Sequence, residues 1–376
     1  MPNRTAIGGD VLGQRALNRA TLERQLLLRR SAQSPLAAVE HLAGLQAQAP
    51  FSPYFQLWSR LQDFDPEVLA KHLVDRDVVR IVAMRGTVHM LTADDCVAFR
   101  PLTQTIMDRD LRSNTQYSAG LRGVDLDAVA RAARSLLEAT PMTNAELGPE
   151  LAERFPGCEP ASLAHAARNL LPLVQVPPRA VWGRSGQARL TTAESWLGRE
   201  LDPAPSIDTM VVRYLAAFGP ASVADVQTWC GLTRLGEVME RLRAGLRTFR
   251  DESGRELFDL PNGPRPDPET PAPPRFLPDF DNLIRSHADR TRIISVADSK
   301  AINTRNGVTP HFFLVDGRVA GTWRITVSKG AATLDVMPFR LIAKADAPAV
   351  EAEAGRLLAF AEPGAETPTV NVWPAP

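Results

Sequence analysis

The chain has 376 residues, 44% hydrophobic and 23% charged, with 43 basic and 43 acidic side chains. That length predicts two to three domains, and the net charge of zero excludes a uniformly basic nucleic-acid binder while allowing a basic face balanced by acid elsewhere. No run of about 18 apolar residues occurs, so no membrane span is expected. The polar start lacks the apolar core of a signal peptide, which predicts a cytoplasmic protein.

Residues 1–18 read as a disordered tail. The next stretch, 19–120, predicts a first module with helices over 21–30, 36–45 and 53–61. Ser34-Pro35 is a strong start signal, with a cap at Ser34 and proline at the first helical position. Asp65-Pro66 caps a short fourth helix. Residues 78–91 alternate around Arg85-Gly86 and predict a β-hairpin, or wing. There Arg85, Thr87 and His89 share a face, which makes Arg85 and His89 candidates for DNA contact. Thr92 then caps a long helix.

Residues 121–200 and 201–260 predict two more copies of the same unit. Thr143 stands three residues before Glu146, and Ser222 three before Asp225, a full capping box and a near one. Each is followed by an amphipathic helix, a turn and a further helix (162–171 and 235–246). A hairpin closes each copy, 181–191 around Gly183 to Gly186, and 248–260 around Ser253-Gly254. Helix, turn, helix, hairpin is the winged-helix order, a variant of the helix-turn-helix plan. A Pro-rich linker, 261–278, leads to a β-rich segment, 279–376, that ends in a helix over 349–360. Cys96, Cys158 and Cys230 have neither CxxC nor Cys/His spacing. No disulfide framework, metal site or cofactor is therefore expected.

Gln46-Ala47-Gln48 falls between the second helix and Pro50. The proline disfavours helix at Ala49, and in extended backbone residues two apart share a side. Two amides on one side can grip one small target such as a water. The alternative is a pair of solvated loop glutamines.

The clearest hairpin spans 311–327 around Asp316-Gly317, a strong two-residue turn signal. That turn pairs Val315 with Arg318, Phe313 with Ala320 and His311 with Thr322. One face then carries His311, Arg318, Thr322 and Arg324, and the other is almost wholly apolar. Residues 285–329 hold eight basic residues against three acids. This predicts a local positive surface able to lie on phosphates or enter a groove.

Four stretches carry a family resemblance: residues 45–50 (LQAQAP), 85–90 (RGTVHM), 276–281 (FLPDFD) and the hairpin around Asp316-Gly317. With them nearly the whole chain resembles the helix-turn-helix superfamily of bacterial DNA glycosylases typified by AlkZ, which unhooks DNA interstrand cross-links. The resemblance implies an α+β fold of three tandem winged helices in a C-shaped body, with a C-terminal hairpin that probes DNA. It also implies a catalytic Gln-x-Gln motif with x apolar, matched by Gln46 and Gln48. A sister subgroup of the YcaQ type has an acid at the second position, and this sequence departs from it. The implied partner is double-stranded DNA carrying alkylated or cross-linked guanine, met by a monomer associated with the nucleoid. The implied reaction is hydrolysis of N7-alkylguanine, azinomycin-type cross-links included, as self-protection in an organism making or meeting such a compound.

Glutamine cannot act as a general base at neutral pH, but N7-alkylguanine is cationic and leaves as a neutral base. Positioning a water and offering carbonyl oxygens to the oxocarbenium ion then suffice. The rival readings are a winged-helix transcription regulator without catalysis and a protein that sequesters the alkylator.

Overall fold

The computed structural model describes residues 10–302 and 310–375. It is an α+β fold in which one order of elements occurs three times. After β1 (Val11–Leu12) and α1 (Gln14–Arg24), the first copy runs α2 (Pro35–His41), β2 (Leu45–Gln46), α3 (Ser52–Trp58), α4 (Pro66–Val74), β3 (Val78–Val82) and β4 (Val88–Thr92). Connecting helices α5 (Ala93–Phe99) and α6 (Gln104–Ser113) follow. The second copy is α7 (Leu126–Ala139), a bridge at Met142, α8 (Asn144–Arg154), α9 (Pro160–Leu170), β5 (Leu173–Gln175) and β6 (Leu190–Thr192). After α10 (Ala193–Leu197), the third is α11 (Ile207–Phe218), a bridge at Ala221, α12 (Val223–Cys230), α13 (Gly236–Leu242), β7 (Arg247–Asp251) and β8 (Glu256–Asp259).

In each copy a short early strand bonds back to the last one: Gln46 to His89, Met142 to Leu190, and Ala221 to Phe258. This extra pairing, not expected from the sequence, adds to the sheets, one of which, β2-β4-β3-β5-β6, is shared by the first two copies. The expected caps are made. Ser34 Oγ accepts from the Ala37 N–H at 3.2 Å, and both Thr143 with Glu146 and Ser222 with Asp225 close reciprocal boxes.

Some expectations give way. Residues 11–18 were expected in a disordered tail but form β1 and the first turns of α1. Asn18 Nδ2 donates to Arg292 O and Gly317 O, both at 2.8 Å, which ties this stretch to the C-terminal segment. The first helix ends early, and Leu26 takes φ 58°. The helix capped by Thr92 is interrupted at Pro101, which lacks the N–H to continue the ladder. The second copy does not close on a hairpin over 181–191. Its strands are β5 and β6, with Leu173 paired to Thr192 across a long loop.

The end of the expected linker is a strand, β9 (Arg275–Leu277). It lies at one edge of a sheet ordered β13-β12-β11-β10-β9, with β10 (Phe312–Val315), β11 (Arg318–Ser328), β12 (Ala331–Pro338) and β13 (Thr367–Val372). Helix α14 (Val296–Ile302) precedes β10, and α15 (Ala347–Ala361) lies between β12 and β13 in the chain. Phe312 and Leu314 pack with Leu22 and Leu277 on one face, while Phe313 and Trp323 pack with Val350 and Leu357 of α15 on the other.

The expected hairpin forms about its Asp316-Gly317 turn, but its register and its polar face differ from expectation. Val315 does pair with Arg318, but a bulge between Phe313 and Leu314 puts Phe313 opposite Gly321 and Phe312 opposite Thr322. Both faces of β10 are covered, so no solvated polar face exists there. The Asp316-Gly317 turn is docked as well. Asp316 pairs with Arg15 and Arg19, and Gly317, at φ 75°, lies so close to α1 that a Cβ would come within 2.4 Å of Leu22. The ribbon that projects is instead the outer half of β11 with β12, paired out to Ser328 opposite Ala331. Its turn is Lys329-Gly330, both exposed and both at positive φ.

Candidate active site

Gln46 and Gln48 emerge on one side of β2, and Leu45 and Ala47 on the other. Leu45 and Ala47 are buried, Ala47 completely, in the apolar cluster of the first copy with Tyr54, Leu57 and Met90. The alternation explains why the middle residue is apolar. The backbone is held on both sides: Ala47 N–H donates to Val88 O at 2.8 Å, and Gln46 O accepts from Gln56 Nε2 at 2.8 Å. Ala47 O accepts from Arg80 Nη2 at 2.7 Å.

The two amides differ in surroundings. Gln46 is 3% exposed, and its Oε1 accepts from Arg85 Nη2 at 2.8 Å. Gln48 is exposed, and among the described residues its Oε1 accepts only a long 3.3 Å bond from Val88 N–H. Arg85 sits at φ 56° in the turn between β3 and β4. It also donates to Asn282 Oδ1 at 3.0 Å and to the Trp229 carbonyl, so it joins the first copy to the third and to the C-terminal segment. Burial, with Arg285 nearby, lowers its pKa to about 10, so it keeps its charge at neutral pH.

His89 was a candidate for DNA contact. It is fully buried and held neutral, its pKa lowered to about 3 chiefly by burial. Its Nδ1 faces Thr87 O at 3.0 Å, which makes it a structural residue of β4. Arg85 places Nη1 and Nη2 on partners inside the protein.

Two cavities flank the motif. A cleft of about 740 Å³ lies between the β3–β4 turn and α6, α8 and α9, with Arg85, Asn144, His165 and Arg168 in its walls. A second, of about 220 Å³, shares Val82, Asn144 and Arg168 with it and is lined by Gln48, Arg80 and Arg179. Arg80 was missed from sequence. Its signal was an arginine inside Val78–Val82, an otherwise wholly apolar strand.

The C-terminal candidates do not form one face. His311 stacks on Trp323 with ring centres 4.3 Å apart, and its Nδ1 accepts from Asp279 N–H at 2.8 Å. Burial lowers its pKa to about 4, so it brings no charge to DNA at neutral pH. Thr322 is half-buried. Arg318 and Arg324 are exposed, Arg324 with Asp335 3.6 Å away. The basic segment is likewise divided: Arg292 is buried and donates to Pro220 O at 2.9 Å, and Arg305 lies outside the described residues. The 276–281 stretch is a brace. Asp281 forms a buried two-pronged pair with Arg60 of the first copy, at 2.8 and 2.9 Å. Ser52 Oγ donates to Asp279 O at 2.7 Å, and burial pushes the Asp279 carboxyl up to about 6. No helix among the described residues is long and apolar enough to cross a membrane.

Known proteins resemble this chain over most of its length. A curated relative from Streptomyces sahachiroi, described as an interstrand DNA cross-link repair glycosylase, is 24% identical over 356 residues, spanning 89% of this chain and 93% of the relative. The solved structure of the Streptomyces sahachiroi DNA glycosylase AlkZ superposes with a TM-score of 0.78 at 22% identity, covering 96% of this chain and all of that one. The family model for DNA glycosylase AlkZ-like proteins matches residues 39–360, and the chain belongs to that family.

Proposed function

We propose that this DNA glycosylase hydrolyses the N-glycosidic bond of N7-alkylguanine in duplex DNA, cross-linked guanine included, with Gln48 holding the attacking water and Gln46 fixing the motif. The regulator reading gives way to membership of a glycosylase family. The observation that carries the proposal is the pair of amides on one side of β2, one clamped and one open, beside a cleft. The cross-link repair named for the Streptomyces sahachiroi relative supports the choice of substrate.

The division of labour follows from charge. A cationic guanidinium sits on Gln46 Oε1, so Gln46 is a poor partner for a positive sugar. Gln48 Oε1 carries one long bond from a neutral amide and keeps a lone pair for water. As the C1′–N9 bond breaks, the base takes the bonding pair and leaves neutral. The water oxygen forms the new bond to C1′, and its proton passes to solvent. The protein supplies orientation and a partial negative charge. A carboxylate base is unnecessary because the leaving group is already activated.

A cross-linked base is tethered to the opposite strand and cannot swing deeply into a pocket. The open cleft suits such a substrate. The projecting β11–β12 ribbon, with Arg324 and Lys329, takes over the probing role first expected of the docked 311–327 hairpin. The protein acts as a monomer on chromosomal DNA. The test is release of 7-methylguanine by wild type, Gln46→Ala and Gln48→Ala, with uracil and hypoxanthine duplexes as controls. Both variants should be slowed, Gln48→Ala more. Equal rates in all three proteins, or uracil released as fast as 7-methylguanine, defeat the proposal.

A further inference from the structure

The cavity of about 220 Å³ beside Gln48 is lined by a concentration of positive charge. Arg80, Arg100, Arg168 and Arg179 line it, and among the described residues no aspartate or glutamate does. Arg80 is 1% exposed, yet only its Nη2 is bonded, to Ala47 O; Nε and Nη1 have no partner among the described residues. Nε of Arg100, a residue 2% exposed, is likewise unpartnered, as is Nε of Arg179. Burying a cation with unmade hydrogen bonds is costly, and buried orphan donors are rare in folded proteins. A site that tolerates several of them together is built for a ligand that satisfies them.

The chemistry of that ligand follows from the lining. Guanine's groove edge offers two acceptors, which one arginine fork satisfies. Several guanidiniums without a carboxylate match a group with several anionic oxygens. We propose that this cavity seats one backbone phosphate of the DNA, beside the lesion, and so holds the strand against Gln48. Arg80 then bridges two partners, Ala47 O through Nη2 and the phosphate through Nε and Nη1. Phosphate binding thereby steadies the backbone between the two glutamines. The inference rests on DNA being the substrate and not on the roles given to Gln46 and Gln48.

The experiment reads binding alone. Full-length protein is titrated against duplexes holding an abasic-site analogue and one neutral methylphosphonate linkage, moved one position at a time. With wild type, one linkage should cost about tenfold or more in affinity, the scale of a charge-assisted hydrogen bond. In the double variant Arg168→Gln, Arg179→Gln, whose sites are half-buried and tolerate polar replacement, the same linkage should matter little. A flat profile in wild type, or the same sensitive linkage at full strength in the variant, overturns the proposal. A second arm raises inorganic phosphate at constant ionic strength and follows Tm. A rise in wild type combined with a flat linkage scan means a free-anion site and also overturns it. Because no base release is measured, this inference and the roles of the glutamines can fail separately.

Discussion

Replacing Arg85 with methionine separates a positioning role from a DNA contact. In the structure its guanidinium serves Gln46 Oε1 at 2.8 Å, Asn282 Oδ1 at 3.0 Å and the Trp229 carbonyl. Methionine keeps the bulk and removes every donor. The bond to Gln46 is charge-assisted and worth about 1.5–3 kcal/mol. Losing the clamp should slow base release about tenfold to a hundredfold, since each 1.36 kcal/mol is about a factor of ten in rate. Three acceptors lose a partner, which destabilises the fold, while removal of a buried cation without a carboxylate offsets part of that loss. The assay is therefore single-turnover release of 7-methylguanine, run well below the variant's unfolding midpoint, with DNA affinity measured across a salt series. Affinity and its salt slope should stay at the wild-type values, because Arg85 directs its donors inward. A rate within about twofold of wild type would show that the clamp is idle. A salt slope lowered by about one would mean that Arg85 meets a phosphate.

His89 and His311 are held neutral in the fold, at about 3 and about 4, whereas the unfolded chain protonates them below about 6.5. Stability is thus lost as pH falls from there, by about 1.4 kcal/mol per pH unit from the fully buried His89 alone. Asp279, raised to about 6, works in the opposite direction between about 4 and 6 but is outnumbered; a urea midpoint that stays constant from pH 6.5 to 4.5 contradicts this. Gly317→Ala should cost about 1–3 kcal/mol through its left-handed backbone and the clash with Leu22, and Gly330→Ala less, since it shares the left-handed backbone but meets only the Glu366 side chain, at 3.3 Å. Equal losses of Tm in the two would mean that the Asp316-Gly317 turn is not docked. Arg324→Ala should lower the salt slope of DNA binding by about one, and an unchanged slope removes the β11–β12 ribbon from the DNA interface.

What was legible in the sequence was local. Ser34, Thr143 and Ser222 announce their helices because a cap is a contact between residues three apart. The alternation of Leu45, Gln46, Ala47 and Gln48 shows which side the amides take, because strand geometry repeats every two residues. What stayed hidden depends on partners far along the chain. Asp316 meets Arg15 and Arg19, Arg85 meets Asn282, and α15 covers the face that carries Phe313. A free Asp-Gly turn and a docked one have the same local pattern. His311 looked like a DNA contact because residue type says nothing of burial. Arg80 was the one hidden residue with a visible sign, an arginine in an apolar strand, and it touches the motif itself.

That contact gives the amide at position 48 an electrostatic meaning. Gln48 shares its cavity with four arginines and, among the described residues, no acid. A carboxylate there would stay ionised and draw those guanidiniums onto itself, in competition with a phosphate. It would also be the stronger partner for a positive sugar and a better anchor for water. Gln48→Glu should therefore divide two properties: faster base release per bound complex, and weaker DNA binding with a salt slope smaller by about one. On the proposed reading, the amide keeps the cavity cationic for the strand, and a cationic leaving group makes up for the weaker chemistry. Single-turnover release at saturating protein and affinity across a salt series measure the two halves independently. Unchanged affinity in Gln48→Glu would mean that the arginines beside residue 48 do not hold the DNA, and the electrostatic reason for an amide would fall with it.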